Sequence, residues 1–335
     1  MPPSIRIVML GTGDFALPTF LHLCDTGHDV RALITQPDRP QGRKQELIPS
    51  RIKVAARERG IAVEQPEDVN APESLERIRG LAPDLLVTAD FGQILSADLL
   101  AIPRLGGINL HGSILPAYRG AAPVARAIEH GERESGVSVI RMTPRIDAGG
   151  VINVAGTEIE PNETTGELEE RLARLGAPLI AASIAALEAG TAAVLPQDKS
   201  KVTKAPKLRK EEGLIDWSRP ARAIHDRARA FQPWPGAFTY WHRRGEPSRP
   251  PVRVLVHQTD PVEGDGPPGE VIEARGEALI VAAGTRGGAV RLLTVQLEGK
   301  KPVPAREFLR GHRVVPGDRM GGPGPEDSRR SREPS

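Results

Sequence analysis

The chain is 335 residues long, with a formal net charge of +2, 39% hydrophobic and 26% charged side chains, and one cysteine. That length has room for two globular domains, and with aromatics at only 3% their cores must be built from Leu, Val, Ile and Ala. A lone cysteine excludes an intrachain disulfide and a cysteine metal site, eight histidines without ligand spacing give no reason to expect a metal, and no apolar run reaches membrane-spanning length.

Residues 5–10, Ile-Arg-Ile-Val-Met-Leu, read as a buried parallel strand. No signal peptide is visible ahead of it, so a cytoplasmic protein is expected. Gly11-Thr12-Gly13-Asp14-Phe15-Ala16 follows, then a helix to about residue 26 stopped by Gly27. This turn fits G-x-G-x-x-A, the dinucleotide fingerprint. Asp14 in a variable position would oppose a pyrophosphate, so a structural turn beside a cleft is the favoured reading. A second strand spans 30–35. Residues 36–50 carry three prolines and a glycine, which rule out a helix, and so long a loop in a compact domain is usually functional. Arg39, Arg43, Lys44, Arg51 and Lys53 make it basic.

A surface helix at 52–60, a short strand at 61–63 and a helix at 73–79 come next. Residues 84–92 form a strand running into a loop. At 107–111 a strand presents Asn109 and His111, two apart and therefore on one face. Ser113, Pro116, Gly120 and Pro123 then break regular structure, so the polar pair ends a strand and opens into a loop, where α/β enzymes place their chemistry. His111 can move a proton near neutral pH. Asn109 can donate to an oxygen gaining charge. The plain alternative is a satisfied core histidine beside a turn-forming asparagine; the surrounding glycines and prolines weigh against it. After a helix at 124–130 and a strand at 136–142, Asp147 is the carboxylate available to orient the imidazole. Ser113 lacks a G-x-S-x-G frame, and Cys24 lies far upstream, so acyl transfer without a covalent enzyme intermediate is the chemistry that fits.

Residues 151–154 read as a hairpin partner, and 167–189 as an amphipathic helix between Gly166 and Gly190. Residues 191–210 read as a linker crowded with Lys201, Lys204, Lys207, Arg209 and Lys210. Ser218 is placed to cap a helix over 220–230. Trp217, Trp234 and Phe238 are expected in the core of the second domain. Strands at 238–241, 252–258, 269–274, 278–283 and 289–297 recur at the rhythm of a small barrel, and 305–309 is a short closing helix. From Gly321 onward the composition predicts disorder. From Pro206 to the end there are 23 basic and 17 acidic side chains, against 22 and 26 before it. A basic C-terminal third suits a polyanion, and equally an Arg-rich genome.

The runs Asn109-Leu110-His111-Gly112-Ser113-Ile114-Leu115-Pro116 and Tyr118-Arg119-Gly120-Ala121-Ala122-Pro123, with Asp147 and its glycines, resemble the 10-formyltetrahydrofolate-dependent formyltransferases. The likeness spans residues 4–320 and is greatest to members acting on methionyl-tRNA. It implies a Rossmann-like α/β sheet followed by a small OB-like β-barrel: a catalytic domain at 1–190, a basic linker at 191–210, a tRNA-binding barrel at 211–320 and a tail at 321–335. It implies Asn109, His111 and Asp147 as catalytic residues. Folate would meet Ser113, Ile114, Leu115, Pro116 and the backbone of Phe91 and Gly92. The family usually has a small residue where Asp90 stands, and Leu where Ile114 stands. The 36–50 loop would enter the tRNA acceptor arm, with Arg43 at the key arginine's place and Lys44-Gln45-Glu46 replacing a more basic run. Arg39, Arg43, Lys44, Lys207 and Lys210 are the expected tRNA contacts. The implied reaction passes the formyl group of 10-formyltetrahydrofolate to initiator methionyl-tRNA, with a monomer acting and no metal. A family member acting on a nucleotide-linked amino sugar or on glycinamide ribonucleotide is the nearest alternative. The long basic loop and the complete second domain argue against the ribonucleotide enzyme.

Overall fold

The computed structural model describes residues 5–41, 46–246, 248–284 and 287–323. The chain divides into two compact units: residues 1–124, 133–159 and 167–206 form the first, and 125–132, 160–166 and 207–335 the second.

The first unit is an open sheet. Its strands are β1 (Arg6–Gly11), β2 (Asp29–Ile34), β5 (Ala62–Glu64), β6 (Leu85–Ala89), β7 (Gly107–His111), β9 (Glu134–Arg141) and β10 (Val151–Glu158), in spatial order β10-β9-β7-β6-β1-β2-β5. From β7 to β5 neighbours run parallel; β9 and β10 add an antiparallel edge. Every residue of β6 is buried, as is all of β1 after Arg6, which is why these strands read as continuous apolar runs. Helices α1 (Leu17–Asp25), α2 (Arg51–Glu58), α3 (Pro72–Gly80), α4 (Ala97–Leu100) and α6 (Thr165–Glu188) follow the expected alternation, except that α4 is one turn too short to show a period. The helix α5 (Pro123–Glu129) runs out of the first unit into the second. Val8, Leu10, Ile34 and Leu86 of the sheet pack with Ile78, Phe91, Leu95 and Leu99 in one core cluster. On β7, Leu110 packs so closely against Gly176 of α6 that a Cβ there has no room. Alternation along β7 therefore points Asn109 and His111 to the other face.

In the first unit two findings differ from the sequence expectation. The 36–50 loop contains a two-stranded hairpin, β3 (Pro40–Gln41) with β4 (Glu46–Leu47); Arg43 and Lys44 lie outside the described residues. The stretch read as a linker also contributes β11 (Lys204–Ala205), which pairs in parallel with β8 (Arg119–Gly120), so residues up to Pro206 belong to the first unit.

The second unit holds α7 (Ala221–Ala230), β12 (Ala237–His242), β13 (Val252–Glu263), β14 (Val271–Arg275), β15 (Ala278–Ala283), β16 (Gly288–Leu297), β17 (Val303–Pro304), α8 (Ala305–Gly311) and β18 (Arg319–Gly321). Sheet order is β14-β15-β16-β13-β12-β18, all antiparallel, with β17 on β16. The two edges meet through a Glu270–Arg319 bridge and the Val271 N–H bond to Asp318 O, which curls the sheet into an OB-like barrel. Trp217 is buried as expected, but Trp234 is 51% exposed and Phe238 only half-buried under Arg253. The second core tryptophan is Trp241, whose Nε1 donates to the buried Asp318. Period-2 alternation along β12 sends Trp241 inward with Ala237 and Thr239, and that alternation decides the matter over aromatic character. Ser218 does not cap α7: the helix starts later, with Pro220 as its N-cap residue, and the Ser218 hydroxyl bonds Asp216 instead. Gly321 ends β18 as an ordered edge strand; the tail beyond 323 lies outside the described residues.

Candidate active site

The parallel strands β1, β6 and β7 end side by side, and the crevice at such carboxyl ends is where open α/β sheets place ligands. Asn109 and His111 lie at the carboxyl end of β7, with His111 its last residue. Asp147 arrives from the loop between β9 and β10, and its Oδ2 lies 3.6 Å from His111 Nδ1. Both side chains are largely buried, at 6% and 13% exposure. The other ring nitrogen, Nε2, lies 2.9 Å from the Tyr118 carbonyl oxygen. Each nitrogen thus faces an oxygen, and the Tyr118 carbonyl, which can only accept, takes a bond from Nε2–H.

The same carboxylate oxygen is fixed by backbone, since the Gly120 N–H donates to Asp147 Oδ2 at 2.9 Å. Asp147 itself is left-handed, with φ +47°, and Tyr118 has φ +60°. Such conformations in non-glycine residues persist only where surrounding bonds over-determine them. Those bonds come from the supposed linker. Gln197 Nε2 donates to Asp147 O at 2.8 Å and Gly149 O at 2.7 Å, while its Oε1 accepts from Arg119 Nε and Nη2 at 3.0 and 2.7 Å. Thr203 accepts the Tyr118 and Arg119 amides.

Asn109 is oriented by its neighbour on β6. Thr88 and Asn109 are register partners, and the Thr88 hydroxyl donates to Asn109 Oδ1 at 2.7 Å. With Oδ1 engaged, the amide NH₂ is the end left for a ligand. Sequence reading missed both Thr88 and Gln197. Thr88 sits in an apolar strand pattern that conceals it, while the parity of β6 against β7 becomes known only once the strands are paired.

The residues expected to meet folate divide. The Ser113 hydroxyl donates to Ala117 O at 2.6 Å, closing its own turn. Leu115 is buried, its N–H on Ser138 Oγ; Ile114 is 38% exposed; Pro116 is half-buried after a cis peptide bond. Phe91 is core, so it can offer only backbone, and its carbonyl already accepts from Gln36 Nε2 and Thr12 Oγ1. Gly92 has φ +86°.

At the Gly11–Gly13 turn the Asp90 carboxylate occupies the space a Cβ on Gly13 would take, and the Thr12 N–H bonds Asp90 O. A dinucleotide phosphate would therefore meet a carboxylate there. Burial, and secondarily the nearby Asp14 charge, push the Asp90 carboxyl above its usual range. Burial, and then Asp90, push Glu169 of α6 up to about 7.

The expected basic contacts fall on both units. Arg39 is exposed and paired with Glu67 at 2.7 Å; Lys207 and Lys210 are exposed at the start of the second unit. Lys53 does not belong with them: it is 4% exposed and held by Asp38 and Gln65. Its position on the inner face of α2, not its charge, decides its role.

The formyl transferase model matches residues 5–184, and the model for the formyl transferase C-terminal domain matches 207–313. The methionyl-tRNA formyltransferases of Citrifermentans bemidjiense and Moorella thermoacetica are each 43% identical to this chain, over 318 and 320 residues. These spans cover 95% of this chain and 97% and 99% of the two relatives. Among solved structures, HypX from Aquifex aeolicus in complex with tetrahydrofolic acid aligns with TM-score 0.60 at 19% identity, covering 92% of this chain and 47% of that one. The N-formyltransferase from Helicobacter canadensis, in complex with folinic acid and dTDP-3-aminofucose, gives 0.62 at 16%, covering 86% and 98%. At such identities the likeness concerns the fold alone.

Proposed function

The chain belongs to the formyl transferase family, and from that premise we propose that it moves the formyl group of 10-formyltetrahydrofolate onto the free amino group of initiator methionyl-tRNA. The observation that carries this reading is the meeting of His111, Asp147 and Asn109 at one strand end. The likeness to methionyl-tRNA formyltransferases, at 43% identity along nearly the whole of both chains, supplies the acceptor.

In this mechanism the methionyl amine attacks the formyl carbon. The new C–N bond makes a tetrahedral centre whose oxygen carries the charge, and the Asn109 NH₂ and the imidazolium of His111 stabilise it. One such donor is worth about 3–4 kcal/mol. The C–N10 bond then breaks, and the proton shed by the amine passes to the folate nitrogen, with His111 and Asp147 as the relay. The Nε2 proton is held by the Tyr118 carbonyl, so a substrate atom has to displace that bond to use it. Folate is assigned to the crevice lined by residues 91–92 and 113–116, where it meets mainly backbone.

We assign tRNA contact to the loop bearing Arg39, Arg43 and Lys44, and to Lys207 and Lys210 at the entry to the barrel. The barrel at 211–320 serves as the tRNA-binding domain, following a catalytic unit that extends to Pro206, in a cytoplasmic monomer. Incubation with 10-formyltetrahydrofolate and charged initiator tRNA, scored as formyl-methionine, tests the assignment. Formylation of a nucleotide-linked amino sugar in place of methionyl-tRNA would overturn the acceptor while leaving the chemistry.

A further inference from the structure

Gln197 belongs to the stretch that reads as a linker, yet its side chain joins the two walls of the site. One wall is 118–122, which offers the Tyr118 carbonyl to His111 and the Gly120 N–H to Asp147. The other is 147–150, which carries the Asp147 carboxylate. Gln197 takes two donors from Arg119 on the first wall and gives its two N–H groups to Asp147 O and Gly149 O on the second. The sense of the amide is not in question, because a guanidinium only donates and a carbonyl only accepts. All four of these bonds lie between 2.7 and 3.0 Å.

We propose that Gln197 is a positioning residue for formyl transfer: it holds the left-handed Asp147 turn against the 118–122 wall, so that the carboxylate stays on His111. This rests on the reading of His111 and Asp147 given above. Asp147 sits in the left-handed region at φ +47°, and its carbonyl is what Gln197 grips. The backbone around Gln197 is secured separately. Leu195 pairs with Val151 on one side, and Thr203 and Ala205 accept amides of 119 and 122 on the other. Removing the side chain therefore takes away the Gln197 link, leaving the walls joined by the Gly120–Asp147 bond and the strap in place.

The test uses the full chain with both substrates. Gln197→Ala is expected to lower kcat about 10²-fold, the scale of a misplacement near 1 Å, with KM for folate and for methionyl-tRNA unchanged. Gln197→Glu keeps the length and the Arg119 link but cannot donate to the two carbonyls, and it should fall as far. The double variant Gln197→Ala with Asp147→Asn should be no slower than Asp147→Asn alone, since both remove one function. Wild-type kcat in Gln197→Glu, or losses that multiply in the double variant, would overturn the proposal. So would a lowered melting temperature with unchanged kcat per folded molecule. If Asp147→Asn itself turns over normally, the site assignment has failed; if Asp147→Asn collapses and both Gln197 variants do not, only the role of Gln197 has.

Discussion

The end of β7 and the loop after β2 are built on opposite plans. At β7 each polar side chain has named partners: Thr88 orients Asn109, the Tyr118 carbonyl and Asp147 bracket His111, the Gly120 amide holds the Asp147 carboxylate and Gln197 its backbone. The 36–50 loop is secured at its root. Gln36 bonds Thr12 and Phe91, Gln65 bonds Gln36 and Asp38, and buried Lys53 grips Asp38 and Gln65. Past that root Arg39, Leu47 and Ile48 are exposed. Moving a proton and stabilising an oxyanion require atoms fixed within about half an ångström. Attracting a polyanion requires charge within reach, and a screened field forgives position.

The comparison breaks most sharply at the strand end. His111→Ala and Asp147→Asn should each reduce kcat by about 10²–10⁴-fold with folate affinity retained, measured by single-turnover formylation and folate titration. A smaller effect is expected at Thr88→Val, which is nearly isosteric and deletes the hydroxyl that orients Asn109. Losing one hydrogen bond worth about 0.5–1.5 kcal/mol should cost up to about tenfold in kcat, with Thr88→Ser restoring most of it. At the loop, Arg43→Ala should raise KM for methionyl-tRNA and leave kcat and folate KM alone. The salt dependence of that KM should also flatten by about one counterion.

The smallest effect concerns pH and the acidic turn. Glu169 titrates in the folded protein at about 7, above its ordinary 4.5. The folded state then holds a proton that the unfolded state has released. The associated stability is complete below about 4.5 and is lost as pH rises towards 7. Asp84, bonded by Arg6 and Arg104, is depressed and acts the other way, losing stability as pH falls below the usual carboxylate range. Glu169→Gln should therefore flatten the decline between pH 5 and 7 in denaturant melts and leave the acid limb untouched.

Much of the first unit was legible because parallel strands buried on both faces have to be apolar throughout, and the strand at 107–111 was placed to the residue. Asn109, His111 and Asp147 stood out because polar residues flanked by glycines and prolines have no packing reason to be there. Thr88 and Gln197 were not legible. Each acts through a partner on another segment, and neither spacing nor composition records which strands become neighbours. Charge misled at Lys53, where a helix face turned inward buries a lysine beside Asp38, and ring size misled at Phe238, where strand parity gave the core to Trp241.

The most direct measurement is formyl-methionine produced per enzyme from 10-formyltetrahydrofolate and charged initiator tRNA, for the unaltered chain beside Asp147→Asn under saturating substrates. Rapid formylation by the first and a loss of at least about a hundredfold in the second is the expected result. Equal turnover in the two would contradict the assignment of transfer to the His111–Asp147 pair.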